Sequence, residues 1–183
     1  MKSGGGKEKG SSFERVISRM LSKWITGNSK EELFWRSAGS GAQATIGRKK
    51  GIKSNQDGDI SSTSVKSHWL TKKMYFECKT YKTINIISFF HLRGEVHSWW
   101  HKCDKEAKEC RKYPFLIFKG NRTITYAMVS RVFWGKMDSY LGLKNFDHIK
   151  IYIMGDGVVI FDFVEFIDYY DAKVFKSFLE ESC

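Results

Sequence analysis

Apolar residues recur in this chain at two different spacings, and the alternation between them leaves one fold class open. Phe13, Val16, Ile17, Met20, Leu21 and Trp24 return every three or four residues, the stripe of an amphipathic helix. Arg15, Arg19 and Lys23 fall on its outer face, and Gly27 and Asn28 end it. A second stripe, Val96, Trp99, Trp100, Cys103, Ala107 and Cys110, predicts a helix over 95–111, with Pro114 just past its end. Between and after these stripes the pattern is strand-like. Strands are predicted over 58–65 and 73–81, joined through 66–72 as an antiparallel hairpin with a longer loop. The segment 84–90 fits either a third short strand or a buried connection. Strands follow over 115–119, 123–130 and 149–154, then an apolar run over 158–166 and a last helix over 171–181. The chain is therefore α/β with a mixed sheet. Residues 1–12 read as a disordered tail, 13–130 as the core, and 131–183 as a C-terminal elaboration packed on it.

Charge is unevenly spread along the chain. Residues 1–112 hold 23 Lys/Arg and 11 Asp/Glu (23 − 11 = +12), and residues 113–183 hold 8 and 9 (8 − 9 = −1), which together give the net +11. The whole surplus sits in the first part, as expected of an electrostatic footprint for nucleic acid. No apolar run reaches the roughly 20 residues of a membrane span, and no basic amphipathic anchor is left over, so no membrane partner is expected. Four cysteines are too few for a secreted disulfide scaffold, so a cytoplasmic protein is expected, in the host cytoplasm if the source is viral.

Chemistry enters at Tyr75-Phe76-Glu77-Cys78-Lys79. Residues two apart share a strand face, so Glu77 and Lys79 point the same way. A surface ion pair is one reading of that arrangement. Asp59, on the preceding predicted strand, offers another. Two adjacent carboxylates repel unless a cation neutralises them, and a hard divalent ion such as Mg²⁺ takes oxygen ligands and bridges to phosphate. The neighbouring lysine would orient or deprotonate the attacking water, or stabilise charge on the phosphate.

Three runs in this order, Phe34-Trp35-Arg36-Ser37-Ala38-Gly39-Ser40-Gly41-Ala42, then Gln56-Asp57-Gly58-Asp59-Ile60, then Phe76-Glu77-Cys78-Lys79, resemble the PD-(D/E)XK nuclease superfamily. Within it, the phage-type nucleases and the archaeal-type Holliday junction resolvases are most similar. The resemblance covers about Ser12 to Ile124. The proline of the superfamily name is replaced by Gly58. The resemblance implies a restriction-endonuclease-like αβββαβ core with a C-terminal α+β elaboration. It implies that Asp59, Glu77 and the backbone carbonyl of Cys78 hold Mg²⁺ or Mn²⁺, that Lys79 handles the water, and that Glu14 joins the metal directly or through water. Glu14 has a second reading from the residues alone, since Ser11-Ser12-Phe13-Glu14 fits a helix-capping box.

Ser40 lies in a glycine-flanked loop suited to close phosphate approach. Arg36, Arg48, Lys49, Lys50 and Lys53 flank it as candidate phosphate contacts, and Lys82 follows the catalytic strand toward the DNA backbone. His97, His101, Cys103 and Cys110 suggest zinc, but four ligands on one helix do not converge on one ion. Trp99 and Trp100 suit base stacking, yet their spacing suits core packing better. The expected activity is a metal-dependent DNA endonuclease acting on branched DNA as a homodimer. A nicking or restriction-like nuclease, or a DNA-binding scaffold without catalysis, are the alternatives.

Overall fold

The computed structural model describes residues 5–37, 57–91, 93–142, 152–154 and 157–182. Helix α1, Gly5–Thr26, buries Phe13, Ile17 and Leu21. Val16, expected in the same stripe, is exposed, so the buried face is narrower than the spacing suggests. The expected tail is also shorter. Residues 5–12 are helical and continue α1 toward the N-terminus. The end of α1 is as read: Gly27, at φ +68°, donates its N–H to the carbonyl of Lys23.

The predicted hairpin does not form. Strand β1, Phe34–Arg36, pairs antiparallel with β2, Ile60–Ser62, in a separate two-stranded sheet. Between β2 and the next strand of the chain lies helix α2, Val65–Lys73, where a loop was expected. The local reasons were present in the sequence. Ser64 caps the helix through the Lys66 N–H, Lys72 and Lys73 sit in its last turn, and 65–73 contains no glycine, asparagine or aspartate to make a turn. Helix α2 runs directly into β3, Met74–Tyr81. The ambiguous segment that follows is not a strand. It contains a short helix, α3, Ile87–Phe90.

Helix α4, Glu95–Glu109, connects β3 to β4, Tyr113–Gly120, and the two strands run parallel in register from Met74↔Tyr113 to Tyr81↔Gly120. Strand β5, Thr125–Ser130, follows, then helix α5, Arg131–Leu141, strands β6, Tyr152–Met154, and β7, Val158–Asp162, and helices α6, Phe163–Tyr169, and α7, Ala172–Ser182. The main sheet has the order β3-β4-β5-β7-β6, with every pair but the first antiparallel. The α/β class and the mixed sheet thus stand as read.

Alternation along the strands divides the core in two. Phe76, Cys78, Phe115, Ile117, Val159 and Phe161 face a large cluster built with α1, α5, α6 and α7. Tyr75, Leu116, Phe118 and Ile160 face Val96, Trp100, Cys103 and Ala107 of α4. Trp100 is buried there and Trp99 packs beside it against Tyr81 and Phe118, so both serve the core. No helix among the described residues is long and apolar enough to cross a membrane.

Candidate active site

Strand β3 is the edge of the main sheet, and the site is built along it. Tyr75, Glu77 and Lys79 share the face turned toward α4, as the spacing of two requires. Glu77 is only 2% exposed. Its Oε1 lies 2.5 Å from the ammonium of Lys79. A second ammonium, from Lys102 on α4, donates to the same oxygen at 3.0 Å. Sequence reasoning missed Lys102. It stands in a helix with several lysines at solvent-facing positions, and only the tertiary packing of α4 over β3 singles it out. Glu106, one turn further on, is 4.0 Å from Lys102 and accepts the hydroxyl of Tyr75.

Asp59 reaches the site without belonging to a paired strand of the main sheet. Its N–H donates to the carbonyl of Phe76 at 2.7 Å, and its Oδ2 accepts the N–H of Cys78 at 2.8 Å. The segment thereby docks onto the free edge of β3. Gly58 explains why this approach is so close. Its φ is +82°, and a Cβ there would lie 2.4 Å from the carbonyl oxygen of Phe76. Proline is excluded on both counts, since its ring fixes φ near −65°. The departure from the superfamily's proline is therefore a steric requirement of this edge contact.

Asp59 is 4% exposed, and its Oδ2 lies 3.7 Å from the ammonium of Lys79. The two carboxylates and the lysine converge. Burial first, then the charge of Glu77, pushes the Asp59 carboxyl up to about 6 despite Lys79 and the Cys78 N–H. For Lys79, burial pulls the other way, but Glu77 and Asp59 together hold its ammonium above the ordinary range. Burial pushes the Cys78 thiol well up, so its side chain packs as an apolar group while its carbonyl accepts Lys79 at 3.3 Å.

Glu14 comes from α1 on the other side of the edge and is 8% exposed. Because α1 starts at Gly5, Glu14 lies well inside the helix, and the capping-box reading has no terminus to serve. Its Oε2 is 3.2 Å from Nε of Arg36, an ion pair whose alignment falls short of a hydrogen bond, so both atoms remain buried without a hydrogen-bond partner among the described residues. Burial raises its carboxyl above the usual range, against the pull of Arg36 and Lys79 and with the push of Glu77. Glu14 therefore senses the same charges as the β3 pair.

The remaining candidates divide. Arg36 is at the site, on β1, while Lys82 is exposed just past β3. Asp57 pairs with Lys112 at 3.2 Å. Ser40, Arg48, Lys49, Lys50 and Lys53 lie outside the described residues. His97 and His101 meet edge to face on the outer side of α4 with their Nε2 atoms 3.0 Å apart, whereas Cys103 is buried on the opposite side. Among the described residues, no three His, Cys, Asp or Glu side chains are drawn into a ready metal cage. The carboxylates at the β3 edge are instead gathered around Lys79.

No curated protein and no solved structure matches the chain. A family model does, and it extends past the region of the motifs into the C-terminal strands and helices. By its match over residues 5–175 to the family described as "Phage putative PDDEXK endonuclease", this chain belongs to the phage-type PD-(D/E)XK nucleases.

Proposed function

We propose that the chain hydrolyses DNA phosphodiester bonds at the edge of β3, with Glu14, Asp59, Glu77 and Lys79 as its catalytic residues and Mg²⁺ or Mn²⁺ as its cofactor. The observation that carries this reading is the convergence of two almost fully buried carboxylates, Asp59 and Glu77, on the ammonium of Lys79. Nucleases of this superfamily generally use divalent metal ions, and the donors here fit one. Asp59 and Glu77 offer hard oxygens, the Cys78 carbonyl adjoins them, and burial together with the charge of Glu77 raises the Asp59 carboxyl, a cost that a bound cation would offset. When bound, such an ion would polarise the phosphate and its water, and would relieve Lys79 of neutralising the carboxylates.

The chain's own groups then have distinct tasks. Lys79, placed between the two carboxylates, holds the attacking water or the charge that develops on the phosphate. Lys102 keeps Glu77 in its rotamer from the α4 side. Arg36 fixes Glu14 and presents its remaining N–H groups outward. All of these groups precede residue 103, which supports residues 13–130 as the catalytic core and 131–183 as its support. Arg48, Lys49, Lys50, Lys53 and Lys82 position the DNA backbone, with Ser40 beside the scissile strand.

The preferred substrate is branched DNA, cut symmetrically by a homodimer, a reading supported by the resemblance to junction resolvases. Cleavage of a labelled four-way junction beside a linear duplex of the same sequence, with Mg²⁺ and with Mn²⁺, tests both levels. Paired symmetric cuts in the junction alone are the expected result. Equal cutting of both would leave a general nuclease, and no cutting with either ion would overturn the catalytic assignment.

A further inference from the structure

A pocket of about 170 Å³ lies between α1 and β1, behind the Glu14–Arg36 pair. Arg15 and Arg19 of α1 and Arg36 of β1 line it, with Glu32 as the one acid among its lining residues. Its volume is well below the roughly 300–1,000 Å³ of a small-molecule site, so it suits a single group rather than a whole metabolite. One buried polar group points to a ligand there. The hydroxyl of Ser18, a residue 4% exposed, lines this pocket and has no hydrogen-bond partner among the described residues. Arg36 adds a guanidinium whose Nε is ion-paired with Glu14 at 3.2 Å. An unpaired buried hydroxyl beside three arginines makes a donor set for an anion.

The rim of the pocket adds a recognition element. Trp35 is 53% exposed, although it stands on a strand whose neighbours Phe34 and Ile60 are buried. An indole held rigidly on β1 at the mouth of an anion pocket is a platform for the face of a nucleobase. A base inside a duplex has its faces covered by its neighbours, so this platform can be used only by a nucleotide that is unpaired or splayed out.

We propose that this pocket binds an unpaired nucleotide of the DNA substrate, its phosphate held by Ser18, Arg15, Arg19 and Arg36 and its base stacked on Trp35. The proposal rests on the nuclease reading for its DNA ligand, and it names the structural feature that would select branched or frayed DNA. Through Arg36 the occupied pocket touches Glu14 directly, so a nucleotide seated there is in register with the catalytic carboxylates.

The test is equilibrium binding of a labelled oligo-dT strand and of a labelled blunt duplex to the full chain, in chelator so that nothing is cut. Trp35→Ala is expected to weaken the single strand about tenfold while changing the duplex less than about twofold, and Trp35→Phe to keep most of the affinity. Ser18→Ala is expected to weaken the single strand about threefold with the thermal midpoint unchanged or raised, since it removes a buried hydroxyl that the protein itself leaves unpaired. If Trp35→Ala weakens neither ligand, or both equally, the proposal is overturned. The nuclease reading fails separately. A chain that cleaves nothing with any divalent ion, yet shows the selective Trp35→Ala loss, would keep the pocket and lose the catalysis.

Discussion

The β3 edge and the interior strands β5 and β7 of the main sheet are built on opposite terms. At the β3 edge, Asp59, Glu77 and Glu14 are buried with raised or crowded carboxyls, and the Ser18 hydroxyl goes unpaired nearby. Around β5 and β7 the buried groups are almost all apolar. Phe161 alone sits among Phe115, Trp134 and Phe166, with centroid separations of 5.1 to 6.1 Å. The basic surplus follows the same division, with +12 (23 − 11) before residue 113 and −1 (8 − 9) after it. One region spends stability on poised charge, and the other supplies it through packed rings.

Substitutions should therefore separate cleanly into two kinds. Glu77→Gln is expected to lower cleavage by roughly 10⁴-fold, about 5 kcal/mol of barrier, while DNA affinity in chelator stays near normal. Near-normal metal-dependent turnover in that variant would remove Glu77 from the catalytic set. Phe161→Ala is expected to lower unfolding free energy by about 3–5 kcal/mol, measured by denaturant titration, with turnover per folded molecule unchanged. A loss of turnover without a loss of stability would erase the division between the regions. Gly58→Ala sits on the boundary. Its positive φ and the Phe76 carbonyl make it costly by about 2 kcal/mol, and displacement of Asp59 should lower cleavage as well.

The smallest effect concerns pH. The Asp59 carboxyl, at about 6 in the folded chain, binds its proton more tightly than in the unfolded chain, where it is near 3.8. The native state therefore holds more protons between these values, and this contribution to stability is lost as pH rises through about 6. Metal-free Asp59→Asn, which keeps an acceptor for the Cys78 N–H, should be more stable than wild type at pH 7 by about 2 kcal/mol, and the difference should shrink at pH 5. A gap that widens toward pH 5, followed by thermal melts, would refute the raised carboxyl.

Much of this was legible in the chain because local rules were sufficient. The period of two in Tyr75–Lys79 placed Glu77 and Lys79 on one face, and helical spacing located α1, α4 and α7. The failures share a cause. Strand β2 is three residues long and finds its partner in β1, 24 positions or more earlier, so nothing in its own pattern reveals the pairing. Helix α2 buries only Ser67 and Leu70, too little to print a stripe. Helix α5 was passed over because Gly135 interrupts it, although Ser130 as its cap and Gly142 at its end were visible signals. Lys102 and the unpaired Ser18 hydroxyl are facts of packing alone.

The docking of Asp59 on the outside of β3 has a consequence for the protein as a material. A terminal strand exposes N–H groups that can recruit a strand from another molecule, which is a route to aggregation. Here the Cys78 N–H is already taken by the Asp59 carboxylate, and the Phe76 carbonyl by the Asp59 N–H. A residue assigned to cutting DNA thus also blunts the edge that carries it. Shortening it to alanine would keep the backbone contact but free the Cys78 N–H, so Asp59→Ala should form oligomers at high concentration where Asp59→Asn stays monodisperse.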